Sequence, residues 1–293
     1  VGGLWRGEYT SWARLARPWA FLAWVCLGTG LVLGGVWAYE SLGWGGFWGW
    51  DPVENSSLVP WLVVSALIHG LLLQEGRHRF HRSNLVLALV GYLLVLYSTF
   101  LTRSGILGTF SVHSFVELGL ARYLVALIGA GVLLSAGLLA WRWRSIPHPA
   151  IYTRVASREF GLLVACLLFM IITTIVLVGT SMPVISRLPG FSHQMSVDLD
   201  FYSPAVAPFG LVMLVAMAVG PLLTWDQTRY GRLTPLLRVP LWAMGMVLFA
   251  ALLLDLTYPI ALLFLAGGTV ALATHLLLVV RRWRAGPLHL GGY

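Results

Sequence analysis

Lysine is absent from the 293 residues, and acidic side chains are few: 11 Asp and Glu stand against 19 basic residues, all of them arginine. Only 10% of the chain is charged, where a soluble globular domain carries about 25%. With 58% hydrophobic residues and a mean hydropathy of +0.83, a soluble domain is excluded. Cysteine is nearly missing as well. Cys26 and Cys166 each lie inside an apolar run with no second Cys or His close by in sequence. That excludes a disulfide framework or a thiolate metal site and leaves small core residues. The arginines fall between apolar runs and form no continuous basic stripe, so the net charge of +8 does not point to nucleic acid. No paired carboxylates occur within the apolar runs, which argues against an ion or solute transporter. No nucleophile with an adjacent base, internal repeat or low-complexity tract is visible. No signal-peptide pattern opens the chain at Val1, and the sequence reads as part of a longer protein.

Long apolar runs are abundant, and several reach the ~20 residues a helix needs to cross the hydrocarbon core. The spacing predicts an all-α, polytopic transmembrane helical bundle of about eight spans. Their expected positions are Pro18–Tyr39, Asp51–Leu73, Asn84–Leu101, Ala121–Trp141, Phe160–Thr180, Ala205–Thr224, Leu241–Leu254 and Ile260–Val280. The seventh is the shortest. Residues 255–259 between the last two spans have turn composition. Residues 1–293 read as one integral membrane domain. Arginine sets its orientation: sixteen of the 19 lie in one set of loops, and Arg103, Arg122 and Arg187 lie in the other. By the positive-inside rule both ends of the chain are cytoplasmic, and segments 41–50, 102–120 and 181–204 face outward.

Within residues 41–62, the outward stretch Trp44-Gly-Gly-Phe-Trp48-Gly-Trp50-Asp51-Pro-Val-Glu54-Asn55 is unlike the rest. An interfacial aromatic belt accounts for single tryptophans at span ends, such as Trp12, Trp141 and Trp225. It does not account for tryptophans woven with glycines. Glycine allows sharp turns and close approach of a ligand, and Trp supplies a rigid apolar face with one N–H donor. Together they read as a platform at the membrane surface. Asp51, Pro52 and Glu54 also match an N-terminal cap, with Asp at N-cap, Pro at N1 and Glu at N3. The two roles are compatible, since a rigid cap would hold the platform.

The histidines separate by depth. His78, His81 and His148 lie among cytoplasmic arginines and read as solvated. His113 and His193 lie in outward segments, and a neutral imidazole at His113 is a candidate axial ligand or a surface residue. His69 lies inside the second span, where an ionisable side chain is a functional candidate; the alternative is an interhelical hydrogen bond. It stands 18 residues after Asp51, roughly 27 Å along a helix. Any haem at His69 is therefore distinct from one at the outer face. His275 has a similar position in the last span and reads as structural.

Trp44 through Trp61 resembles the tryptophan-rich "WWD" signature of haem-handling membrane proteins. Its continuation Asp-Pro-Val-Glu-Asn resembles the CcmF family of cytochrome c maturation. The stretches Thr99–Gly105 through His113, Ser181-Met-Pro-Val and Gly220-Pro-Leu-Leu resemble further family segments. The resemblance implies a haem lyase component of a bacterial inner membrane, with no catalytic side chain of its own. In that reading an outer haem lies among Trp44, Trp48, Trp50, Asp51, Arg103 and His113. A haem b inside the membrane is held by His69, so that His69 and His113 are ligands to haem iron. The implied partners are the haem chaperone CcmE, a CcmH-type thiol protein and apocytochrome c. A haem-binding and translocating protein without lyase activity is the alternative. Two features depart from the family pattern. The His-Pro-Pro stretch expected upstream of the WWD segment is absent. His289-Leu-Gly-Gly has the letters of the second membrane histidine but sits in a polar-flanked loop, so the true partner is expected beyond Tyr293.

Overall fold

A computed structural model of the chain describes residues 1–41, 46–108, 110–111, 119–149, 154–225, 228, 231 and 233–284. All regular structure among them is helical. A short α1 (Gly2–Arg6) precedes α2 (Tyr9–Ser41), α3 (Pro52–Arg77), α4 (His81–Arg103), α5 (Ala121–Arg142), α6 (Arg158–Ile185), α7 (Leu199–Val219), α8 (Thr234–Leu253) and α9 (Pro259–Arg284), with a 3-10 turn at Gly220–Leu222. From α2 onward these are eight helices long and apolar enough to cross a membrane, in the order the sequence predicts.

Three of them start six or more residues earlier than expected, each running through a proline; α7 begins at Leu199, where Ala205 was expected, and continues past Pro204. α2 begins at Tyr9 and runs through Pro18, and α8 begins at Thr234 and runs through Pro240. A proline removes one backbone donor, but breaking a helix in lipid would strand several more, so the helix continues. The seventh span is thus 20 residues long and full length.

The chain forms two compact units, Val1–Ile151 with Phe169–Val206, and Tyr152–Leu168 with Ala207–Tyr293. In the first, α3 is the central helix, with buried residues on all its sides, and it packs against α2 and α4. Only three residues separate α3 from α4, and His78 and Phe80 turn the chain there with positive φ. This tight connection corrects one expectation. His81 is not a solvated loop residue but the first residue of α4, 4% exposed, drawn into the helix pair by the short turn. His78 and His148 are exposed as expected.

Near this turn a buried polar set joins three helices. Asn84 Nδ2 donates to Gly70 O (2.9 Å) and to Gln74 Oε1 (2.8 Å), and Gln74 Nε2 donates to Tyr9 O (2.8 Å). Gly70 permits it: a Cβ there would lie 2.0 Å from Asn84 Oδ1. Arg17 and Glu75 form an ion pair between α2 and α3. Further along, Trp24 and Trp61 stack at 5.5 Å. Trp24 Nε1 donates to Ser65 Oγ (2.8 Å) and Trp61 Nε1 to Trp24 O (3.2 Å), so both indole N–H groups are satisfied inside the helix pair.

In the second unit, α8 and α9 pair as a helical hairpin. The turn between them is made by Asp255, whose φ of 60° ends α8 in the left-handed region, as the composition of residues 255–259 suggests. Arg158 Nε donates to Leu223 O (3.2 Å), tying the start of α6 to the turn after α7.

Candidate functional site

The predicted cap forms, and it shapes the tryptophan segment. Asp51 is the N-cap of α3, its carboxylate accepting from Val53 N (2.8 Å). Glu54 Oε2 reaches back to Asp51 N (3.3 Å) and to Gly49 N (3.0 Å). Asn55, fully buried, donates from Nδ2 to Trp50 O (2.8 Å). The backbone of residues 49–51 is thereby fastened to the first turn of α3. Trp50 has φ 54°, an uncommon conformation for a bulky residue. Such strain costs on the order of 1–3 kcal/mol and persists only where the surroundings enforce it.

The surroundings come from the start of α7. The Trp50 indole stacks on the Tyr202 ring, centroids 5.4 Å apart and planes 13° from parallel. Its Nε1 donates to Ser203 Oγ (2.9 Å). Trp48 then stands edge-on to Trp50 at 6.2 Å and 89°. The Trp48 Nε1 is buried and makes no hydrogen bond. An indole N–H usually finds a partner when buried, so this donor is open to a ligand's acceptor. Beside Trp48, a cleft of about 280 Å³ lies between α2 and α3, bordered by Gly30, Gly34, Ala38, Val53 and Glu54.

The Asp51 carboxylate has a second duty. Ser111 Oγ donates to Asp51 Oδ1 (2.7 Å), which ties the chain after α4 to the cap of α3. Arg103 is the last residue of α4 and is exposed. The turn after it packs through Ile106 and Leu107 onto Val53 in the first turn of α3. Trp48, Trp50, Asp51 and the α4 end bearing Arg103 are therefore brought to one end of the first unit. Trp44 and His113 lie outside the described residues.

His69 is half-buried on α3, beyond the Trp24–Trp61 pair. Its Nδ1 is 2.8 Å from Ser65 O. A carbonyl only accepts, so Nδ1 carries a proton, and in the neutral imidazole Nε2 then keeps its lone pair. The Phe169 ring lies 5.4 Å from the imidazole. An oriented neutral imidazole with a bare Nε2 against an aromatic ring suits haem ligation. No group of three or more His, Cys, Asp or Glu residues gathers among the described residues, so an ordinary metal-ion site is not on view. His275 has the same i−4 bond, to Ala271 O (2.8 Å), but is exposed on α9. His193 is exposed and contacts Ser192 Oγ.

Sequence reasoning did not single out Tyr202, Ser203, Asn55 or Ser111. An aromatic pair at the head of a span, Phe201-Tyr202, reads as an interfacial belt, and nothing local links it to Trp50.

The profile of the cytochrome C assembly protein family matches residues 7–108. The chain is 40% identical over 249 residues to a probable cytochrome c-type biogenesis protein, NrfE of Escherichia coli, covering 84% of this chain and 44% of that protein. It is 37% identical over 279 residues to the cytochrome c-type biogenesis protein CcmF of Pseudomonas aeruginosa, covering 90% and 40%. The solved structure of a cytochrome c heme lyase CcmF superposes with a TM-score of 0.70 at 27% identity, over 99% of this chain and 43% of that one. The chain thus spans about two fifths of the length of these relatives.

Proposed function

The chain belongs to the CcmF/NrfE/CycK family of cytochrome c biogenesis membrane proteins, and from that premise we propose that it presents haem at the outer face of a bacterial inner membrane for covalent attachment to apocytochrome c. The observation that carries the reading is the tryptophan segment built onto the cap of α3, with the Trp48 N–H buried and unpaired beside a cleft. In this reading Trp48 and Trp50 offer aromatic edges and faces to the porphyrin. Arg103 would pair with a propionate, and His113 comes two residues after Ser111, whose hydroxyl bonds Asp51 at the cap. Haem supplies the vinyl groups to which the two acceptor thiols add. The protein contributes orientation, axial ligation and exclusion of water, and no side chain need act as nucleophile. A resident haem b would be held separately by His69 through Nε2, with Ser65 O fixing the ring's tautomer. The donor is a holo-haem chaperone of CcmE type, and a CcmH-type partner presents the reduced acceptor.

The test uses the full-length protein in membrane vesicles, supplied with holo-chaperone and reduced apocytochrome c. The wild type should yield covalent cytochrome c. The Trp48→Ala, Trp50→Ala double variant should insert normally and lose most of that yield. Haem bound by the wild type but never joined to the acceptor would favour translocation without lyase activity. A double variant working at the normal rate would reduce the segment to an aromatic belt.

A further inference from the structure

The tryptophan segment is not self-supporting. Its third tryptophan holds an unfavourable backbone conformation, and its indole is fixed by residues 152 and 153 positions away in sequence, at the head of α7. We propose that Tyr202 is a positioning residue for the platform: stacked beneath Trp50, it sets the indole plane against which Trp48 meets the haem. This rests on the reading of residues 44–51 as a haem platform.

Tyr202 is itself rigidly placed. It is 2% exposed, among the largest fully buried side chains of the protein. Its ring lies directly on the backbone of α6 at Gly179, where a Cβ would come within 2.7 Å of the hydroxyl oxygen and 2.8 Å of the ring. Any other residue at Gly179 would force the ring to move from its place on α6. Phe201 meets the ring edge-on at 5.6 Å on another side. Two buried atoms, Asn55 Oδ1 and Thr180 Oγ1, make no hydrogen bond of ordinary geometry, and the Tyr202 hydroxyl is the group turned toward both. Asn55 is also the residue whose Nδ2 holds the Trp50 carbonyl. The tyrosine therefore meets the Trp50 indole by stacking, and its hydroxyl faces Asn55, the side chain that holds the Trp50 carbonyl. Stacking orients a plane, and a hydroxyl near two open acceptors resists rotation about that plane. Ser203 adds the in-plane restraint through the indole N–H. A buried aromatic at a span entrance need make none of these contacts merely to fill space.

A mutant cycle in the full-length protein separates positioning from general packing. Tyr202→Leu removes the stack and hydroxyl, and Trp50→Ala removes what they act on. Each alone should lower the yield of covalent cytochrome c about tenfold. If Tyr202 acts through Trp50, the combined variant should fall no further, whereas independent roles would multiply to about a hundredfold. Tyr202→Phe keeps the stack and should restore yield to within about threefold of wild type. The absorption of the resident b-type haem should be unchanged in every variant, which also reports that the protein is folded. Multiplicative losses, or full yield with Tyr202→Leu, would overturn the inference. Should Tyr202→Leu fail to accumulate, Gly179→Ala, which displaces the same ring, is measured in the same cycle with the same two outcomes. If Trp50→Ala and the Trp48, Trp50 double variant also work normally, the platform reading itself has failed. If they lose yield while Tyr202→Leu does not, only the positioning role has.

Discussion

In the proposed reading His69, which lies inside a span, and His113, which the sequence puts in an outward segment, serve different haems. His69 is half-buried within α3 and has its Nδ1 occupied by Ser65 O, so Nε2 is the nitrogen the proposed haem would take. Replacing it with alanine should abolish the resident b-type haem spectrum, since a protein ligand to the iron is lost and Phe169 beside it cannot substitute. His113→Ala should leave that spectrum in place and depress transfer to the acceptor. Added imidazole should partly restore either variant by filling the vacated position. Reduced-minus-oxidised spectra of the two purified variants decide the matter, and a resident haem lost with His113→Ala but kept with His69→Ala would reverse the assignment. At this scale the sequence was informative about which residues were unusual and silent about how they were held. An ionisable side chain in a span is conspicuous in one dimension. Its tautomer depends on a carbonyl one turn back, and the burial of His81 depends on a three-residue turn whose geometry composition does not specify.

At the scale of elements, what could be read in advance was local. The cap of α3 involves residues within a few positions of one another, so Asp51, Pro52 and Glu54 announce it. The Trp50–Ser203 bond spans 153 positions and announces nothing. Three helix starts were expected at or just after prolines that lie inside α2, α7 and α8, because rules drawn from water assume that a broken helix can be solvated. The α3–α4 pair offers a direct test of how close packing is specified. Gly70→Ala would place a methyl group against Asn84 Oδ1, where 2.0 Å of clearance is available. The helices must separate or Asn84 must leave its bonds to Gly70 O and Gln74 Oε1, at a cost of about 1–3 kcal/mol. Thermal unfolding of the detergent-solubilised protein should show a clear drop in midpoint. Adding Asn84→Ala removes the obstruction, so the double variant should be less destabilised than the sum of the two single ones. Strict additivity would mean that the asparagine and the glycine are not coupled.

For the whole molecule, the expected orientation rests on arginine alone, because lysine is absent and acidic residues carry little topological weight. Sixteen of the 19 arginines lie at alternate span ends and connections together with the two chain ends, against three at the others. Several of these arginines are also built into the structure. Arg142 donates from Nε to Leu4 O (3.1 Å) and from Nη2 to Trp5 O (2.8 Å), and Arg82 donates to Trp143 O (3.0 Å) while lying over its ring. Such arginine–tryptophan staples anchor one end of the first unit with cations that resist transfer across the bilayer, each costing about 2.5–3.5 kcal/mol at a helix centre. Inverting the protein would carry all of them to the wrong face, and eight spans return the chain to the side on which it starts. Alkaline phosphatase fused near Gly43, Ser111 or Gln194 should therefore be active, and a fluorescent protein fused near Arg79, Arg154 or Arg232 should fold and emit. With that result the tryptophan segment, Ser111 and the Arg103 end of α4 would share the outer face, where the proposed acceptor would meet them. An active phosphatase at Arg79 together with a silent one at Ser111 would put the platform on the cytoplasmic side and remove the basis for presenting haem outward.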